Sequence, residues 1–129
     1  MFIEIALRFA AQTSLDTSLL DTSHHDGGSP MPIVQFTRFK TDKPEEMTKI
    51  VRQAKKIFEK HGAEFLRLSR FHTGHWAGEL LVTTRYANWE VYGKVQEAVA
   101  KDPEFAQVMA DGLKISELQG RNIAVSIDI

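Results

Sequence analysis

Hydrophobic and polar residues alternate along two neighbouring stretches between residues 63 and 86. The apolar positions of this pattern are Leu66, Leu68, Leu80, Val82 and Tyr86. A period of two residues is typical of strands that bury one face. The segment between Gly74 and Gly78 separates the stretches and carries His75 and Trp76. We therefore predict a β-hairpin with an irregular, glycine-containing tip, against which the rest of the chain packs.

The residues before this hairpin predict a strand followed by an amphipathic helix. Residues 32–40 are rich in β-branched and aromatic residues, which favours a strand. The next segment has an apolar stripe at helical spacing, formed by Met47, Ile50, Val51, Ala54, Ile57 and Phe58. Asp42 is the expected N-cap, Pro44 suits the first turn, and Gly62 is the expected end of the helix.

The residues after the hairpin predict a second helical region and a final strand. Asn88 is a favourable N-cap, and the apolar stripe consists of Trp89, Tyr92, Val95, Ala98 and Val99. Asp102-Pro103 interrupts this region, so we expect Asp102 to cap a new short helix. Phe105, Val108 and Met109 continue the inward face. Apolar residues at 123, 125, 127 and 129 then alternate as in a half-buried strand.

The order strand, helix, strand, strand, helix, strand predicts an α+β, ferredoxin-like βαββαβ domain with both helical regions on one face of an antiparallel sheet. We expect the helix-facing positions to be Leu66, Leu68, Leu80, Val82, Ile123, Val125 and Ile127. The other face is expected to carry Ile33, Gln35, Thr37, Phe39, Arg67, Ser69, Phe71, Leu81, Thr83, Arg85, Ser126 and Asp128. This mixed face predicts that the sheet packs on a second copy of the chain.

The first thirty residues have a different character from the rest. They are rich in Ser, Thr and Asp and end in a Gly-Gly-Ser-Pro run, which favours mobility over a packed core. We predict a flexible N-terminal extension over residues 1–31 and a single domain over residues 32–129. Met31 is then a true or alternative start, and an ordered arm over a partner subunit is the other interpretation.

Composition removes several classes of function. The formal net charge is −1 and there are no cysteines. We therefore expect no nucleic-acid partner and no thiolate chemistry. The longest apolar runs are too short to cross a bilayer, and Glu4 and Arg8 interrupt the N-terminal apolar stretch, so we expect a cytoplasmic protein with no membrane partner.

Residues 32–129 resemble the dimeric α/β-barrel superfamily. The resemblance is carried by Trp89-Glu90-Val91-Tyr92-Gly93 at the start of the second helical region, by Asp102-Pro103-Glu104, and by the apolar last strand. This superfamily includes antibiotic-biosynthesis-type monooxygenases and NipSnap-like proteins. The resemblance implies a homodimer whose sheets pair into a barrel. It maps no catalytic motif onto this chain.

Two groups of residues could carry chemistry. His72 and His75 are three residues apart, but no third ligand has convincing spacing, so we predict no metal site. If Phe71 pairs with Leu81 across the hairpin, Arg67 lies opposite Arg85. Like charges at opposed positions are unfavourable, and a bound anion, an acidic side chain or a register shift by two residues would relieve them.

The sequence leads to a small-molecule-binding homodimer as the first hypothesis, with the pocket between sheet and helices or between two sheets. The residues predicted to border an anionic or aromatic ligand are Arg67, Phe71, His72, His75, Trp76 and Arg85. We expect no cofactor, although the histidines leave haem open. The alternatives are a cofactor-independent monooxygenase with His72 as candidate base, and a structural dimer without catalysis.

Overall fold

The computed structural model describes residues 31–129. The predicted N-terminal extension therefore lies almost wholly outside the described residues. The elements follow the predicted order, with the second helical region divided into two helices. They are β1 (Ile33–Thr41), α1 (Pro44–Lys60), β2 (Phe65–Arg70), β3 (Leu80–Tyr86), α2 (Trp89–Lys101), α3 (Pro103–Ile115) and β4 (Ser116–Val125).

The four strands form one sheet in the order β2-β3-β1-β4, with antiparallel neighbours throughout. The apolar stripes of the three helices and the inward residues of the strands form a single core. Phe58 of α1 and Phe105 of α3 meet edge to face in that core at 5.5 Å between ring centroids. The predicted α+β, ferredoxin-like class is confirmed.

Two of the three predicted helix caps are confirmed. The Asn88 side chain accepts from Val91 N, and the Asp102 side chain accepts from Glu104 N. Asp42 was the wrong choice for α1, because Lys43 is the N-cap residue and makes no side-chain cap bond. Thr41 stabilises this turn instead, since its Oγ1 accepts from Lys43 N at 3.0 Å.

Helix α1 ends next to Gly62, as the sequence predicted. The backbone at Gly62 has φ +120°, a left-handed conformation that residues with a Cβ rarely adopt. A Cβ at this position would also lie 3.3 Å from Cγ2 of Val95 on α2. Gly62 therefore both ends the helix and allows α2 to approach the turn.

The predicted face of β1 was wrong. Ile33 and Gln35 are buried beneath the helices, and Thr37 and Phe39 line the same side of the sheet. Both alternating sets of β1 residues contain apolar side chains, so alternation alone did not decide which face of the strand is buried. The polar residues point inward because Gln35 finds buried hydrogen-bond partners there.

The final strand differs from the prediction at both ends. β4 begins at Ser116, and a register irregularity faces Arg38 and Phe39 of β1. Ile127 and Ile129 lie beyond the strand and are exposed, so the expected helix-facing position of Ile127 was wrong. The same holds for the strand positions expected for Ser126 and Asp128. The Ser126 amide still donates to Pro32 O at 3.0 Å.

No helix in the described part of the chain has the length and apolar character needed to span a membrane.

Candidate functional site

A pocket lies between the sheet and helices α1 and α3. Its cavity volume is about 70 Å³, which makes it a narrow site. The lining residues are Gln35, Thr37, Phe39, Met47, Ile50, Val51, Ala54, Phe58, Leu66, Val82, Thr84, Phe105, Val108, Met109, Gly112 and Leu113.

The polar side chains of this lining all come from the sheet. Gln35 and Thr37 belong to β1, and Thr84 belongs to β3. The helices contribute apolar walls, with Met47 on α1 and Met109 on α3. None of these described lining residues carries an ionisable side chain. The pocket can therefore solvate a small neutral polar group on its floor and exclude water from an apolar body.

A buried cluster of polar side chains adjoins this floor. Gln35, Tyr86 and Gln96 are 3%, 0% and 2% exposed, and Arg121 joins them from β4. Gln96 Nε2 donates to the Tyr86 hydroxyl at 2.8 Å, and Arg121 Nη2 donates to Gln96 Oε1 at 3.3 Å. We call these four residues the amide cluster. Buried polar groups need such partners, since each unpaired one is costly.

Burial keeps the Tyr86 side chain in its phenol form. Its pKa is raised, first by burial and then by neighbouring Tyr92, while Arg121 opposes the shift. The Tyr86 and Tyr92 rings meet edge to face at 5.0 Å between centroids. Tyr86 therefore serves as a neutral hydrogen-bonding group, and its hydroxyl is not a base at neutral pH.

The six residues predicted to border a ligand do not line this pocket. Arg67 and Arg85 lie on the opposite face of the sheet, and they do not oppose each other, because the hairpin has the alternative register, shifted by two residues. Arg67 pairs with Thr83, and Arg85 pairs with Phe65. Arg85 Nε lies 3.3 Å from Glu64 Oε1 as an ion pair without hydrogen-bond alignment.

The hairpin tip brings two of the predicted residues together with two others. Phe71 and Trp76 meet edge to face at 5.5 Å, and the Arg38 guanidinium lies 4.0 Å from the Trp76 ring centroid. Arg38 Nε also donates to Glu79 Oε1 at 2.6 Å. This arrangement holds the tip on the open face of the sheet, while His72 and His75 are exposed.

The candidate roles of those six residues stay predictions. Within residues 31–129, no three or more His, Asp or Glu residues are grouped closely enough to hold a metal ion.

The amide cluster was not predicted from the sequence, although two of its members stand at positions where the pattern of apolar residues continues. Gln96 stands four residues after Tyr92, at a position of the α2 stripe where an apolar residue is expected. Arg121 occupies the same alternating set as Ile123 and Val125. Polar residues at buried positions of two different elements signal that those elements meet.

Comparison of the whole fold with solved structures finds monooxygenase-like proteins. SnoaB, a cofactor-independent oxygenase from Streptomyces nogalater, shares 14% identity at a TM-score of 0.59, over 77% of this chain and 96% of SnoaB. A candidate antibiotic biosynthesis monooxygenase from Caulobacter crescentus shares 16% identity at a TM-score of 0.56, over 83% and 98%. The chain has the fold of the antibiotic-biosynthesis-type monooxygenases.

A third similar structure is a conserved protein of unknown function from Bacteroides thetaiotaomicron, described as a possible oxidoreductase. It shares 14% identity at a TM-score of 0.51, over 76% of this chain and all of that one. No protein-family model and no curated protein sequence matches the chain. At these identities the comparisons establish the fold, and the predicted resemblance is confirmed at that level.

Proposed function

We propose that this protein binds a small, mainly apolar molecule in the pocket between the sheet and helices α1 and α3. The observation that supports this most directly is the lining, in which apolar helix side chains face a floor holding Gln35, Thr37 and Thr84. Ligand pockets combine an apolar wall with a few placed polar groups in this way. The predicted site on the other face of the sheet is the competing location.

We further propose that the protein is a homodimer whose open sheet faces pair into a barrel, and that it acts in the cytoplasm. The open face carries half-buried apolar side chains that a partner would cover, including Val34, Phe36, Phe65 and Leu81. A second copy suits this face because the fold resemblance implies sheet-to-sheet pairing. A structural dimer without a ligand is the plainer alternative.

A cofactor-independent oxygenase is the second candidate function, favoured by the similarity to SnoaB. Among the described residues, the pocket lining supplies no ionisable group to act as a base. The described lining therefore has the groups needed to bind a ligand but no side chain that could act as a catalytic base. Oxygen uptake with an electron-rich phenol and no added metal or flavin would favour the enzyme.

The test of the binding function is a substitution that fills the pocket. Ala54 lies on α1 in the lining, so Ala54→Phe should occupy the space that a ligand needs. We expect ethylbenzene to shift amide resonances of the wild-type protein in a saturable titration and to leave those of Ala54→Phe unchanged. Gln53→Phe adds the same ring on the exposed side of α1 and should bind like wild type.

Equal ethylbenzene affinity in wild type and Ala54→Phe, with both proteins folded, would show that the pocket is not the binding site.

A further inference from the structure

Gly112 is a buried residue of helix α3 that lines the pocket. It lies opposite Met47 and Ile50 of α1, which line the same pocket. Glycine is less favourable than alanine inside a helix, because it loses more backbone freedom on folding. Helix formation therefore does not explain a glycine at this position.

The backbone at Gly112 does not require glycine either. Gly62, Gly74 and Gly78 have positive φ angles, whereas Gly112 has helical backbone without one. The Gly112 carbonyl accepts a hydrogen bond from Ser116 Oγ at 2.7 Å. Any amino acid would supply that carbonyl group, so this bond does not select glycine.

The packing of α1 against α3 leaves room for a side-chain methyl group at Gly112. A Cβ there would lie 3.5 Å from Cγ2 of Ile50, 3.7 Å from Cε of Met47 and 3.9 Å from its Sδ. These are ordinary van der Waals distances. By contrast, a Cβ at Gly120 would lie 3.0 Å from Nη1 of Arg38. Alanine would therefore fit at position 112 without displacing either helix.

We infer that Gly112 is a specificity-determining residue, which sets the length of the longest neutral apolar ligand that the pocket accepts. The inference rests on the proposed binding function. A methyl group at this position would advance the α3 wall of the pocket by the length of a carbon–carbon bond. Because the cavity holds only about 70 Å³, a single methyl group changes the space that a ligand can use. The described lining residues are uncharged, so the selected ligands are neutral.

A series of alkylbenzenes measures the length that the pocket accepts. Toluene, ethylbenzene, propylbenzene and butylbenzene each differ from the next by one methylene group. We expect the affinity of the wild-type, full-length protein to rise about fourfold with each methylene group that the pocket buries. The affinity should stop rising at the homologue that fills the pocket. The measurement is a saturable amide-resonance titration with each compound.

Gly112→Ala should move this limit to a homologue one methylene group shorter. The homologue that the wild-type protein binds most tightly should lose at least about tenfold in affinity relative to the next shorter one, since its last methylene group no longer fits. The urea midpoint of the same variant should rise, because alanine fits and favours the helix. A more stable protein that rejects long ligands would separate ligand selection from damage to the fold.

Two further variants complete the test. Gly93→Ala makes the same change in helix α2, outside the described pocket lining, and should keep the length limit of the wild-type protein. Ile50→Ala removes the Cγ2 atom that faces Gly112, so it should extend the limit by at least one methylene group. Ile50 is half-buried, and its variant tests the same part of the pocket from α1.

The outcomes distinguish the inference from the function on which it rests. If no alkylbenzene binds to the wild-type protein, the proposed binding function is wrong. If the series binds and Gly112→Ala or Ile50→Ala keeps the wild-type length limit, the pocket binds ligands but the inference about Gly112 is wrong. A Gly112→Ala protein that is unfolded or less stable than wild type would show that packing requires the glycine, which would also overturn the inference.

Discussion

At the scale of single residues, the amide cluster explains why polar side chains occupy the centre of this small core. Gln35 on the sheet and Gln96 on the inner side of α2 are both buried, and an unpaired amide there would destabilise the fold by about 1–3 kcal/mol. The Tyr86 hydroxyl and the Arg121 guanidinium together satisfy both amides. Arg121 thus takes part in the cluster without lining the pocket itself.

Removing the Tyr86 hydroxyl should destabilise the amide cluster. Tyr86→Phe removes the hydroxyl that is the hydrogen-bond partner of both Gln35 and Gln96, so we expect the free energy of unfolding to fall by about 1–3 kcal/mol. Adding Gln96→Leu removes one of the stranded donors, and the double variant should lose less than the sum of the two single losses. Urea unfolding measures all three. A Tyr86→Phe variant as stable as wild type would contradict this account.

Sequence patterns located the apolar half of this site and missed the polar half. The stripe of α1 predicted Met47, Val51 and Phe58 as core residues, and all three are buried. Gln35 was assigned to the wrong face because both alternating sets of β1 residues contain apolar side chains. Its true orientation depends on Tyr86 and Arg121, which lie 51 and 86 positions further along the chain, and no local pattern contains that information.

At the scale of elements, Asp102 connects all three helices. It caps α3 through Glu104 N at 2.8 Å and bonds His61 Nε2, at the end of α1, at 2.7 Å. It also stands at the C-terminus of α2 and lies 3.3 Å from Lys60 Nζ. The hydrogen bond from His61 is the main cause of a pKa lowered from 3.8 to about 2, while burial opposes the shift.

Because of this lowered pKa, the stability of the fold depends on pH in the acid range. The folded state holds Asp102 ionised more strongly than the unfolded chain does, so its contribution is complete above pH 3.8 and is lost as the pH falls toward about 2. Asp102→Asn keeps a capping side chain without the charge. We expect the Tm difference between wild type and Asp102→Asn to shrink over that pH window.

Asp128→Asn is the control for this comparison, because Asp128 is exposed beyond the last strand. A Tm difference for Asp102→Asn that stays constant from pH 6 to pH 2 would show that the charge of Asp102 does not connect the helices.

Prediction at this scale succeeded where a local signal decides the outcome. The Asp102-Pro103 pair predicted the break between two helices, and the break is there because proline disfavours helix at the residue before it. The hairpin register was left open between two pairings that differ by two residues, since a tip of this length is not a two-residue turn that fixes the pairing. The β4 register irregularity likewise depends on its pairing with β1.

At the scale of the whole molecule, the sheet separates two surfaces with different properties. The helix side holds the pocket and its uncharged floor. The open side holds apolar residues such as Leu81 and Phe36 together with the Arg38 and Trp76 contacts at the tip. On the account proposed above, the first surface binds a ligand and the second binds another copy of the chain.

The proposed homodimer predicts a response to charge on the open face. Leu81→Glu would bury a carboxylate between the sheets, so we expect a mass of one chain in sedimentation or light scattering where wild type gives two. Gln53→Glu adds the same charge on the exposed side of α1 and should leave the dimer intact. A wild-type monomer, or a Leu81→Glu dimer, would count against pairing through this face.

The measurement that tests the central claim most directly is the position of a bound ligand relative to the methionine methyl groups. The sequence has four methionines; Met47 and Met109 line the pocket, and Met31 is exposed. With [¹³C]methyl-methionine protein, we predict nuclear Overhauser effects from bound ethylbenzene to Met47 and Met109 and none to Met31. Saturable binding of ethylbenzene without effects to Met47 and Met109 would place the ligand outside this pocket and contradict the account.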